Sequence, residues 1–325
     1  MPKTGTTLLQ QRVFGQLDNV AFLGRPYSSP ALRSSMNSLK RDSSLFFAPQ
    51  SLLDEVRSSD QSRFLISDES LADNHASQDH YAKIRGLKRI DENAQILVTL
   101  RNPRTMLVSD YLHYIRQSVE SPSIPFMTLE QFFTKIRNQR SSGSAYSRLR
   151  YADIVRDYET HFGKNRVTVL LFEEMLQAPR RFEEKLGSVL DSSVRGLEDA
   201  LTQGAINRAV SEPTYELARR FLRYQGFDSE EQLREELREF VEQQKLGEGF
   251  LERAIECLAE TGFHKKPNEW VTRLYESCPE LKEAPKARVS LPDAIRRAVD
   301  QETVEGNRRL SEQRDLQLDS YGYPL

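Results

Sequence analysis

Pro2-Lys3-Thr4-Gly5-Thr6-Thr7-Leu8-Leu9-Gln10 stands near the head of the 325-residue chain. A glycine at position 5 lets the backbone approach an oxyanion closely. The amides of Thr6 and Thr7, at the start of a helix, point at that anion with the positive end of the helix dipole behind them. Lys3 adds a full positive charge and the threonine hydroxyls add donors. The turn is suited to a phosphate or a sulfate. It differs from the nucleoside-triphosphatase loop G-x-x-x-x-G-K-[ST], where the lysine follows the last glycine, because Thr6 occupies that place. No Walker-type aspartate follows a strand to hold magnesium. The expected ligand is therefore an anion handled by lysine and backbone, with no metal.

Working outward, four apolar runs read as strands: 20–23, 64–66, 96–100 and 167–172. Near-continuous apolar runs of this length suit strands covered on both faces, and the chain between them is long enough for crossovers. The expectation is an α/β fold of three layers, a central parallel sheet flanked by helices. Ligands of such sheets sit beyond the carboxyl ends of the strands, where Glu69, Arg101 and Glu173 fall. Helices are expected from Thr6 to Leu17, after Pro103 and after Pro179, each with an apolar stripe behind its first turn. Beyond about Pro213 strand signals stop and amphipathic segments continue to about Arg309. The organisation expected is a single domain over 1–325, with an α/β nucleotide-binding core at 1–212 and a mainly helical part at 213–325.

Net charge is −2, which argues against a general nucleic-acid binder, but the charge is uneven. Residues 1–50 hold six basic and two acidic side chains, so an anionic ligand is drawn to that part. Residues 228–260 hold eleven acids and four bases, read as solvated helix faces. No stretch approaches the ~18 apolar residues of a membrane span, and the first residues lack a signal-peptide pattern. A cytoplasmic protein is expected, with peripheral membrane contact and oligomeric state left open. Cys257 and Cys278 lack metal-ligand spacing, and no structural disulfide is expected.

Two stretches together carry a resemblance. P-K-T-G-T-T-L-L-Q resembles the 5′-phosphosulfate loop of sulfotransferases that use 3′-phosphoadenosine 5′-phosphosulfate (PAPS). R-N-P-R-T-M-L-V-S-D-Y, Arg101 to Tyr111, is similar to their 3′-phosphate motif, with Arg101 and Ser109 eight apart after a strand. Leu149 to Met175 and the closing Glu305 to Pro324 are similar to bacterial carbohydrate-type members. The resemblance implies a P-loop-like fold in which Lys3, Thr4, Gly5, Thr6 and Thr7 hold the 5′-phosphosulfate of PAPS. Arg101 and Ser109 would hold its 3′-phosphate. The implied acceptor is a hydroxyl or amine of a carbohydrate or glycolipid, and the product is 3′,5′-ADP.

Sulfuryl transfer needs in-line approach, relief of charge on the leaving phosphate and removal of the acceptor proton. Lys3 is the candidate for the bridging oxygen. Glu69, just past the second strand, is the candidate base, with Asp68 and His113 behind it; capping or packing roles compete for all three. Glu173 and Glu174 read as first-turn acids of a helix. Two other classes remain: a small-molecule P-loop kinase, and a non-catalytic nucleotide-binding or assembly protein. Members of the family place a buried strand directly before the phosphate turn, and here that first strand is missing. The expectation is that the true start lies upstream of Met1.

Overall fold

The computed structural model describes residues 4–24, 27, 29–41, 63–68, 71, 80–138, 146–203, 210–222, 229–261 and 267–325. Two compact units divide the chain. The first holds 1–106, 135–206 and 292–325, and the second 107–134 and 207–291.

In the first unit the expected apolar runs form strands β1 (Val20–Phe22), β2 (Arg63–Leu65), β3 (Ile96–Leu100) and β4 (Val167–Leu171). All pairing is parallel, β1 with β2 and β3 with β4, the latter in register from Ile96 opposite Val167 to Leu100 opposite Leu171. Side chains alternate between faces, as the two-residue period of a strand requires. Val20, Phe22, Leu65, Leu97 and Leu170 all pack into one layer. That layer contains Leu9, Val13 and Phe14 at the start of the chain, and Phe182, Leu186 and Leu190 of helix Pro179–Leu190. Each side chain fully buried there contributes ~1.5–3 kcal/mol.

On the opposite face the strands divide. Val98, Leu100, Val167, Val169 and Leu171 meet helix Tyr151–Phe162 and the C-terminal residues Leu310, Leu318 and Tyr323. Ala21, Phe64 and Ile66 meet Leu32 and Met36 of helix Pro30–Arg41. Leu87 of helix His80–Ile90 packs against both groups. The α/β class and the parallel strands are as expected from the sequence. The sheet, however, is in two pieces: among the described residues β2 and β3 do not pair, and a slot of about 600 Å³ runs between them.

The second unit is helical. Its helices include Glu212–Leu217, Glu230–Gln243, Glu248–Thr261 and Pro267–Ser277. Phe221 meets Phe240 and Trp270 edge-on at centroid distances of 5.8 and 5.3 Å, and Trp270 Nε1 donates to the Ala254 carbonyl at 3.0 Å. Leu233, Leu237, Phe240 and Val241 bury one stripe of the acid-rich helix. The opposite face carries ion pairs such as Arg238 with Glu235 at 2.8 Å, in keeping with a solvated helix. Among the described residues no helix is long and apolar enough to cross a membrane.

Candidate functional site

Gly5 is the N-cap of helix Thr6–Arg12 and adopts φ 79°, in the left-handed region that L-residues rarely enter. Its carbonyl accepts from the amides of Leu8 and Leu9, which closes the first helical turn. A side chain has no room at this position. A Cβ there would meet Met175 Cε at 2.4 Å and the Phe172 ring at 3.0 Å. Thr4 is buried, and its hydroxyl shares a 2.7 Å hydrogen bond with that of Thr99 in β3. The turn is thereby fixed at the carboxyl end of β3. Gln10, one turn further into the helix, donates to the carbonyl and hydroxyl of Ser67 beyond β2. Thr6 is buried and Thr7 half-buried. Lys3 lies outside the described residues.

Arg101 follows β3. Its guanidinium carbon lies 4.6 Å from the centroid of the Phe172 ring, and Nε donates to Thr105 Oγ1 at 3.1 Å. Stacking on the aromatic face holds the guanidinium plane against the ring, and a planar guanidinium is the kind of donor fork that matches an oxyanion. The backbone beneath it is held from several sides. Tyr151 Oη donates to the Arg101 carbonyl at 2.5 Å. Glu173, just past β4, accepts the Asn102 amide at 2.9 Å with one oxygen and the Tyr323 hydroxyl at 2.9 Å with the other.

Asn102 does more than the sequence indicated. Its side-chain oxygen accepts from the Arg104 amide as an N-cap of helix Pro103–Glu120. Its side-chain nitrogen donates to the carbonyls of Tyr321 and Gly322. Asn307, buried in helix Asp293–Arg314, donates to the Pro324 carbonyl, so the tail is anchored at both ends. Arg104 makes a two-toothed ion pair with Asp300 at 2.7 and 2.8 Å, which raises the arginine pKa. Burial first, and the neighbouring Glu173 second, push the Tyr323 phenol well above its ordinary value.

The other candidates fall as follows. Asp68 is buried just past β2 and accepts a hydrogen bond from Tyr27 Oη. Glu69 lies outside the described residues. Glu174, read as a helix-start acid, is 2% exposed and is held by Lys185 at 2.7 Å and Arg181 at 3.0 Å. Ser109 and His113 belong to the second unit, both half-buried, with His113 Nδ1 3.3 Å from an Arg116 guanidinium nitrogen. Arg308 pairs with Glu305 on the surface.

Glu173, Tyr151 and the Tyr321 to Pro324 tail were not among the expected site residues. The signals were Glu173's place at a strand end and the resemblance of the closing residues, but neither named a partner.

The Gly5 turn, the Arg101 corner and the end of β2 are thus features of one unit, gathered at the carboxyl ends of parallel strands. Comparisons with known proteins bear on the family. A family-wide profile of the sulfotransferase domain matches residues 1–241. No curated protein sequence matches significantly. Among solved structures, a sulfotransferase from Alicyclobacillus acidocaldarius is similar at 19% identity and a TM-score of 0.42, over 62% of this chain and 87% of that one. With the profile spanning well over half of its length, this chain belongs to the sulfotransferase family.

Proposed function

We propose that the protein transfers a sulfuryl group from PAPS to a hydroxyl or amine of a carbohydrate or glycolipid. In this reading Thr4, Gly5, Thr6 and Thr7, with Lys3, bind the 5′-phosphosulfate. Arg101 and Ser109, eight residues along the chain, bind the 3′-phosphate. A new bond forms between the acceptor oxygen or nitrogen and sulfur while the bond from sulfur to the bridging phosphate oxygen breaks. The acceptor proton passes to Glu69, and 3′,5′-ADP leaves with its developing charge met by Lys3.

The observation that carries this reading is the Thr4 to Thr99 contact in a sulfotransferase-family chain. It brings the turn with the left-handed Gly5 to the strand end that continues into Arg101. The donor set is hydroxyls, backbone amides and a guanidinium, which suits phosphate and sulfate oxygens without calling for a metal.

Titration calorimetry tests it. Binding of 3′,5′-ADP in the absence of magnesium is the expected result, and a preference for magnesium-ATP overturns it in favour of a kinase. An acceptor screen with labelled PAPS over a panel of sugars and glycolipids then identifies the acceptor. Failure of label transfer to every class would leave a nucleotide-binding protein instead.

A further inference from the structure

We propose that Cys257 and Cys278 form a redox-responsive pair, a reversible modification site at which a small-molecule disulfide oxidises the two thiols to one intrachain disulfide. Both are free thiols, Cys257 partly exposed and Cys278 buried. Cys257 lies in helix Glu248–Thr261, and Cys278 directly follows helix Pro267–Ser277, both in the second unit.

The packing of these helices puts the two cysteines at one level. Glu260 pairs with Arg273 at 3.0 Å, Cys257 Sγ lies 3.7 Å from Ser277 Oγ, and Arg253 Nε donates to Cys278 Sγ at 3.4 Å. As the first partner steps back along its helix the second steps forward, so the helices run antiparallel and Cys257 meets the step at which Cys278 stands. The Ser277 hydroxyl donates to the Arg273 carbonyl, which leaves the Cys257 thiol as the donor in its own contact with Ser277. Trp270 Nε1, bonded to the Ala254 carbonyl at 3.0 Å, fixes the same pair of helices. A disulfide needs two backbones that are already neighbours, and these contacts supply them.

The surroundings divide the work between the sulfurs. Cys257 is reached by solvent, whereas burial, opposed by the Arg253 guanidinium, raises the Cys278 thiol above its ordinary value. The Cys257 thiolate therefore attacks the small disulfide, forming a mixed disulfide and releasing one small thiol. Cys278 then attacks the Cys257 sulfur. The protein S–S bond forms, the mixed bond breaks, and the second small thiol leaves with the Cys278 proton. The two protein thiols are oxidised by the two electrons that the small disulfide gains. Arg253, also paired with Glu280, stands beside Cys278 and favours its thiolate in that step. In a reducing compartment such a bridge is a transient mark and not a structural bond.

The test equilibrates the 325-residue chain with glutathione and glutathione disulfide over a series of ratios, then quenches and alkylates it for intact-mass analysis. The expected product is about 2 Da lighter than the dithiol, one hydrogen lost from each sulfur, and takes up no alkylating agent. An unreduced digest should contain the Cys257 and Cys278 peptides linked. The equilibrium constant for the bridge should be at least tenfold higher than for the same chain in concentrated urea, because the fold holds the two sulfurs together. Equal constants in the folded and unfolded chain overturn the proposal. So does glutathione retained on Cys257 while Cys278 stays open to alkylation. None of these readouts depends on nucleotide binding or turnover.

Discussion

The hydroxyls of Thr4 and Thr99 lie 2.7 Å apart and are both buried, joining the phosphate turn to the penultimate residue of β3 across 95 positions of sequence. Thr4→Val or Thr99→Val leaves a buried hydroxyl without this partner, and each should cost about 1–2 kcal/mol. Replacing both removes the polar pair together, so the double variant should be less destabilised than the sum of the singles. Chemical denaturation of the four chains measures the coupling. Strict additivity would mean that the contact does not hold the turn.

Gly5→Ala places a methyl group where φ is 79° and where Met175 and Phe172 already sit. The backbone penalty alone is roughly 1–2 kcal/mol. The methionine end can move, whereas the Phe172 ring is also stacked beneath Arg101. The expected outcome is a loss of about 2 kcal/mol or more in stability and at least a tenfold loss in 3′,5′-ADP affinity. Adding Met175→Ala should recover part of the stability and little of the affinity, because it relieves the contact without altering φ. Full recovery of both would show that packing, not the left-handed turn, matters at this position.

Arg101→Lys keeps the charge but loses the fork and the stacking on Phe172. On the proposed role, affinity for 3′,5′-ADP should fall roughly tenfold or more, equivalent to about 1.4 kcal/mol. Affinity for 5′-AMP should change little, since it lacks the 3′-phosphate. Calorimetry with the two nucleotides gives the ratio, and a parallel loss for both would remove Arg101 from the 3′-phosphate site.

Glu69→Gln is the corresponding variant for the base. It preserves shape and hydrogen-bonding capacity but cannot take the acceptor proton. Turnover should drop by two orders of magnitude or more, on the order of the 10²–10⁴ that a positioned base supplies, while 3′,5′-ADP affinity stays unchanged. Retained turnover would return the role to Asp68 or His113, each already in contact with a neighbour.

The strands and the glycine turn that opens the first helix were legible because their signals are local: unbroken apolar runs, a glycine in a threonine-rich turn, and a proline opening a helix. The run at 167–172 was read one residue too long. Phe172 begins the next helix and turns its ring under Arg101. The supports of the Arg101 corner were not legible, because they act over distance in sequence. Glu173 reaches the Asn102 amide across 71 positions, and the Tyr321 carbonyl meets the Asn102 side chain across 219. A carboxylate at a helix start looks the same in sequence whether it caps its own helix or holds another strand's loop. Edge pairing was equally hidden. Apolar pattern marks a strand as covered on both faces but does not say which neighbour it bonds, so the division into two pairs among the described residues emerged only from the fold.

The tail contact yields a prediction about alkaline pH. Burial, and then Glu173, hold the Tyr323 phenol above its ordinary value, so the folded state favours the neutral ring. An unfolded tyrosine titrates near ~10. The stability contributed by this group is therefore complete below that pH and declines as pH rises toward the folded value. Tyr323→Phe removes the titration and also the donor to Glu173, whose carboxylate then loses a charged hydrogen bond worth about 1.5–3 kcal/mol. The variant should melt several degrees lower at pH 7 and lose less further stability between about pH 9 and 11 than the parent chain. Tyr158, raised by burial and bonded to the Leu71 carbonyl, supplies the control. Tyr158→Phe should also flatten the alkaline limb, but it leaves 3′,5′-ADP affinity intact, whereas Tyr323→Phe weakens it by loosening the loop that carries Arg101. Equal nucleotide affinity in the two variants would separate the tail from the site and leave it a purely structural clasp.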